Sequence, residues 1–200
     1  MPRPALRGAL AVLVGLALGV AVTQLGATVL RVSGESMAPT FHTGQLVVVI
    51  RPPLHAALER SGLLGPLTAD GSVVAVTDPT AAGSGAAAPA WPFAPALLLK
   101  RVVATGGQTI AYARGARLLD GAPASEPWLS QGRAGGADVA PVTLTQDELF
   151  VVGDDRRPLA SLDSRSFGPL PAGAVRGGVA WVLRWPVGPS GWRSPVAAVR

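Results

Sequence analysis

The sequence predicts a mainly β domain, an antiparallel sheet folded or closed toward a barrel, behind a single N-terminal transmembrane helix. Three observations carry this. The chain opens with a long apolar run that holds no charge. Beyond it, the apolar stretches are short, rich in β-branched residues and bounded by glycine or proline, the pattern of strands separated by turns. The chain has 25 glycines and 19 prolines in 200 residues, which leaves little room for long helices.

The N-terminal run comes first. Gly8 to Leu30 is 23 residues without a charged side chain. As a helix such a run reaches about 35 Å, enough for a hydrocarbon core of ~30 Å. Arg3 and Arg7 precede it, so residues 1–7 are expected in the cytoplasm and the chain from Arg31 onward across the plasma membrane, in a single pass. A cleaved secretory signal is the rival, but its apolar core is usually only ~7–15 residues. The runs expected as strands are Leu46–Ile50, Val73–Val76, Leu97–Val103, Thr109–Tyr112, Leu149–Val152 and Val179–Leu183. Their lengths suit strands buried on both faces. Leu54 to Leu64 is the one expected helix of this domain. Asp78–Pro95 and Gly121–Pro141 read as loops, the folded domain spans residues 31–186, and residues 187–200 form a peripheral tail.

Composition narrows the function. Hydrophobic residues make up 48% of the chain and charged residues 14%, against ~25% charged in typical soluble chains. The net charge is +5, but the arginines are scattered rather than clustered, so no nucleic-acid partner is expected. There is no cysteine, which excludes thiol nucleophiles, disulfides and thiolate metal sites.

Three stretches could hold chemistry. In "SGESMAPTF", Gly34 and Pro39 bracket Ser36. Glycine allows close backbone approach and proline stiffens the chain on its far side. The stretch fits either an ordinary turn or an exposed nucleophile whose own amide helps to form an oxyanion hole. In "ALLLKRVVA", Lys100 is the only lysine of the chain. On a strand it shares a face with Leu98 and Val102, while Arg101 points the other way. An ammonium among apolar side chains is desolvated and its pKa falls toward neutrality, so Lys100 is either a general base for a serine or a lysine whose head reaches water at a strand edge. "GDDRRPLASLDSR", residues 153–165, comes directly after an expected strand. Its three aspartates and three arginines suggest an ion-paired loop, and that neutralisation argues against a metal site. His42 and His55 lack a context that would make either one a catalytic base.

Together these stretches resemble type I signal peptidases, membrane-anchored serine–lysine proteases. "SGESMAPT" is similar to the family's nucleophile motif, "KRVVATGG" to its lysine motif, "GDDR…SLDSR" to its late motif, and "DGSVVAV" to an intervening strand. The resemblance covers about Val32 to Pro186. It implies Ser36 as nucleophile and Lys100 as general base, with Ser161 holding the lysine. Asp163 and Arg165 would brace the loop, supported by Asp154 and Arg156. The Ser36 amide would serve the oxyanion hole, with backbone only at Gly34, and Met37 would sit by the substrate-binding surface. No cofactor or metal is implied. The implied partners are preprotein signal peptides, the lipid bilayer and the protein-export machinery. The late motif is two residues longer between Arg156 and Ser161 than the common form. Two alternatives stand beside this reading: a processing peptidase for a single secretion or pilus substrate, and a non-catalytic anchored module that binds exported chains by strand addition.

Overall fold

The computed structural model describes residues 8, 12–16, 19–20, 26–81, 97–129, 136–183 and 196–198. Twelve strands fall among them. They are β1 (Ala27–Arg31), β2 (Leu46–Ile50), β3 (Val73–Thr77), β4 (Leu97–Thr105), β5 (Thr109–Ala113), β6 (Ala116–Leu119), β7 (Ala122–Pro123), β8 (Val139–Thr143), β9 (Glu148–Val152), β10 (Leu170–Pro171), β11 (Val175–Leu183) and β12 (Val196–Ala198). The helices of the domain are α1 (Pro52–Arg60) and α2 (Ser164–Phe167). Each of the six runs expected as strands forms one.

The main sheet runs β1-β2-β11-β3-β4-β9-β10, with β12 also on β11. A second sheet runs β7-β6-β5-β8, and neighbouring strands pair antiparallel throughout. Register shifts interrupt β11 against both β2 and β3, and β4 against β9. Such bulges bend and over-twist a strand, and here they curl the main sheet. Gly177 is required at one of these crossings, because a Cβ there would stand 2.4 Å from the Ile50 carbonyl oxygen.

Burial tracks the strand period. One face of the main sheet packs Val47, Val49, Val73, Ala75 and Val179 with Met37 and Phe41 from the loop after β1. The other packs Val74, Val76, Val102, Val151 and Leu170. A third cluster, Val103, Ile110, Tyr112, Leu144, Phe150 and Val152, joins the two sheets.

Several expectations change. Ala27–Leu30 are not the end of a membrane helix: they pair with Ile50–Val47 as an edge strand, since apolar residues beside a partner strand satisfy their backbone there. Gly8, Val12–Leu16 and Gly19–Val20 are helical, and the rest of the expected anchor before Gly26 lies outside the described residues. Among the described residues, no helix is long and apolar enough to cross a membrane. The stretch Gly121–Pro141 is not simply a loop, because β7 and the start of β8 lie in it. Most of the expected loop Asp78–Pro95 lies outside the described residues. The tail contributes β12, paired along Trp181–Leu183. The expected helix begins earlier, since Pro52 and Pro53 fit its first turn, where an amide has no intrahelical partner.

Candidate active site

Ser36 lies in the loop between β1 and β2. Ala38 N donates to Glu35 O at 2.9 Å and Phe41 N to Met37 O at 2.9 Å, so the chain turns tightly just after the serine. These turns direct Met37 and Phe41 into the core. Met37 is therefore a buried support under the loop. Ser36 stays half-buried, and no backbone carbonyl among the described residues accepts from its amide. Gly34 has φ 86° with open space around it, which suits a left-handed turn before the serine.

Lys100 approaches from β4. Its Cα pairs across the sheet with Val74, and it is 2% exposed. Its Nζ donates to Ser36 Oγ at 3.0 Å. Burial lowers the Lys100 pKa to about 8; the Asp163 carboxylate opposes this and Arg165 adds to it. The dielectric argument from sequence thus holds in direction, and Leu98 and Val102 do fall in one apolar cluster on one face of β4.

The late loop closes against the nucleophile. β9 pairs with β4 up to Arg101↔Val152, which brings the next residue, Gly153, level with Lys100. A Cβ on Gly153 would stand 2.4 Å from Ser36 O and 2.3 Å from Ser161 Oγ, so only glycine fits. Asp155 N donates to Ser36 O at 3.0 Å and fixes the serine's backbone. Asp163 caps α2, accepts from Gly153 N at 3.0 Å, and pairs with Arg165 through Nε at 2.9 Å and Nη2 at 2.8 Å. Burial alone would raise the Asp163 pKa, but Arg165 and the Gly153 amide hold it below the usual carboxylate value.

Two other residues of that loop reach far from it. Asp154 forms a buried bidentate pair with Arg101, Nε to Oδ1 at 2.8 Å and Nη2 to Oδ2 at 2.7 Å, and also accepts from Thr40. Arg101 donates to Gly71 O at 2.6 Å, and its guanidinium lies 4.8 Å from the Trp128 ring centroid. Arg156 donates to Glu126 at 2.6 Å and to Tyr112 Oη at 2.8 Å, both outside the main sheet. Of the pairings expected within the loop, Asp155–Arg157 and Asp163–Arg165 are local, while Asp154 and Arg156 bind partners that loop spacing does not reveal.

Ser161 is buried in the same loop, and its hydroxyl lies beside the Asp163 carboxylate and helps to hold that group's pKa down. The hydrogen bond of Lys100 goes to Ser36. Neither histidine is bonded to Ser36: His42 Nδ1 faces Glu35 at 3.2 Å, and His55 is buried on α1. Sequence reasoning missed Arg101, Thr40 and Gly153. Alternation did put Arg101 opposite Lys100, and an arginine on a strand buried on both faces needs a carboxylate; that signal asks for an acidic partner without saying which.

The dyad opens into a cleft of about 180 Å³ lined by Leu30 to Ser33, Ser36 and Leu97 to Lys100. Its walls are the outer edge of β1, which no other strand covers among the described residues, and the stretch of β4 that precedes its pairing with β9. A larger groove of about 710 Å³, between α1, Trp128 and β11, includes neither Ser36 nor Lys100.

Residues 6–185 match the family model described as signal peptidase, peptidase S26. The chain belongs to the signal peptidase family. It is accordingly a hydrolase and a peptidase, and the curled antiparallel sheet is the setting in which this member of the family carries Ser36 and Lys100. A crystal structure of a signal peptidase I from Enterococcus faecalis V583 is similar at 20% identity and a TM-score of 0.42, covering 56% of this chain and 95% of that one. No curated protein matches the chain.

Proposed function

We propose that the protein is a membrane-anchored endopeptidase that removes N-terminal signal peptides through a Ser36–Lys100 dyad. The observation that carries the reading is the 3.0 Å contact between Lys100 Nζ and Ser36 Oγ at a lysine with pKa about 8. A neutral amine at that distance can take the hydroxyl proton directly.

The substrate lies extended in the cleft, its backbone facing the free edges of β1 and β4. Neutral Lys100 takes the Ser36 proton as Oγ attacks the carbonyl carbon of the last signal-peptide residue. The oxyanion forms beside the Ser36 amide, with no side chain at Gly34 to assist. The Lys100 ammonium returns its proton to the departing amine, leaving an acyl-enzyme. Water then gives a proton to Lys100 and attacks the ester, and the proton returns to Ser36 Oγ as the signal peptide leaves. The small cleft suits small side chains next to the cut, as the family implies. The apolar segment before β1 anchors the domain in the bilayer, with its catalytic side outside the cytoplasm, so that enzyme and substrate share one surface.

The test is processing of a purified preprotein by the full chain. Ser36→Ala and Lys100→Ala should each lower turnover by at least ~10³-fold, and Lys100→Arg should not restore it, because a guanidinium does not lose its proton. Near wild-type turnover in either alanine variant would overturn the dyad.

A further inference from the structure

The residue before the nucleophile carries a charge that the fold does not need. Glu35 is adjacent to Ser36, and its side chain is 51% exposed. Its Oε1 accepts from Thr43 N at 3.1 Å, and its Oε2 lies 3.2 Å from His42 Nδ1. These contacts, Thr43 first, hold the carboxyl below the usual carboxylate value, so it is ionised at neutral pH. The loop is closed without that charge. Its base is tied by Val32 N to Gln45 O at 2.8 Å, Gly44 N to Val32 O at 2.9 Å and His42 N to Gln45 Oε1 at 2.9 Å. A neutral amide oxygen at position 35 could also accept from Thr43 N. Nor does the charge serve the general base: the charges that act most on Lys100 are those of Asp163, Arg165, Asp78 and Asp154. An anion next to a serine where negative charge develops works against the chemistry, so this one needs another reason to be there.

The other acids around the nucleophile are already neutralised. Asp154, Asp155 and Asp163 are buried and pair with Arg101, Arg157 and Arg165. Among the described residues, the one ion-pairing partner of Glu35 is His42, and no arginine or lysine stands beside it. Glu35 is also placed off the cleft, which is lined by Leu30 to Ser33, Ser36 and Leu97 to Lys100. A substrate that lays its signal-peptide side along β1 in that cleft has its other side beyond Ser36. The first two residues after the cut then span about 7 Å. The Cα of Glu35 is about 3.8 Å from that of Ser36, so a long basic side chain on either residue can reach its carboxylate.

We propose that Glu35 reads the charge of the first two residues after the cut and favours lysine or arginine there over an acid. The inference rests on the signal-peptidase reading above and names a substrate class for it: preproteins whose mature chain begins with a basic residue. The fixed carboxylate attracts a cation as the chain docks and repels an anion.

The test uses the full chain and two sets of preproteins. Each set differs only at the first or only at the second residue after the cut, with Lys, Gln or Glu there. In at least one set, kcat/KM should be roughly threefold or more higher for Lys than for Glu, and the gap should narrow as salt is raised. Glu35→Gln retains an acceptor for Thr43 N and should bring that ratio close to one, while Glu35→Lys should invert it. The proposal is overturned if the unmodified chain cuts the Lys and Glu preproteins equally well. It is equally overturned if the ratio survives in Glu35→Gln, which would assign the selectivity to another charge, such as Arg31 or Arg157. A uniform loss on every preprotein with the ratio kept would leave Glu35 a clasp of the loop and nothing more. If the unmodified chain cuts none of the preproteins, the signal-peptidase reading has failed and this inference goes with it.

Discussion

Burial acts on Lys100 in two opposite ways. It frees the amine of its proton near pH 8, and it makes the protonated amine a liability to the fold. Preprotein turnover should therefore rise with pH through about 8, in step with deprotonation of Lys100. Because the chain has one lysine, selective isotopic labelling gives a single side-chain NMR signal that should titrate at the same pH. The stability consequence has a definite sign. Between the native value of about 8 and the reference value of 10.5, the unfolded chain binds more protons, so stability rises with pH across that window, and below it the penalty is complete. Lys100→Met should abolish turnover yet stabilise the protein at pH 7, by up to on the order of 3 kcal/mol. Denaturation curves of both proteins should converge as the pH approaches 10.5.

Among the elements, the strand-to-loop junction at Gly153 governs the site. Adding a methyl group there meets the Ser36 carbonyl oxygen, which Asp155 N also holds. Gly153→Ala should shift Ser36 away from Lys100 and cost ~10²-fold in kcat, while leaving binding of an inhibitory peptide within a few-fold. A kcat near wild type would show that the loop yields without moving the serine. The same scale explains what could be read from sequence. The runs around Val47, Val74, Val102 and Val151 were legible because buried β-branched residues define a strand by themselves. β1 was hidden because its residues continue an apolar run, and only pairing with β2 separates them from it. β7 and β8 were hidden because Pro123 and Pro141 mark turns, and the prolines are tolerated here in two short, exposed strands. The burial of Met37 was not legible, because a motif places a residue in the chain but not the direction its side chain takes.

At the scale of the whole molecule, the second sheet is joined to the first through the cluster around Tyr112 and Phe150 and through Arg156. Arg156 is buried, and its charge is balanced by Glu126. Glu126→Ala should leave that guanidinium without a carboxylate, at a cost of ~3–5 kcal/mol. Hydrogen exchange should then show β5 and β6 losing protection before β3 and β4; uniform loss across both sheets would mean that the pair does not act as a joint. Such long-range partners are the part of the design that sequence conceals: Ser36 and Lys100 were named because the motifs around them resemble those of a known family, but nothing local tells Asp154 to seek Arg101 or Arg156 to seek Glu126. The alternation of Lys100 and Arg101 on β4 carries one more consequence. Displacing β4 by a single residue along β3 would offer Ser36 the Arg101 guanidinium and set Val102 where Arg101 now meets Asp154, leaving that buried carboxylate without its partner. A chain misaligned in that way would show native sheet content by circular dichroism and remain catalytically silent. The fraction of correctly threaded molecules in a preparation is therefore better counted with an acylating inhibitor of Ser36 than judged from any spectrum.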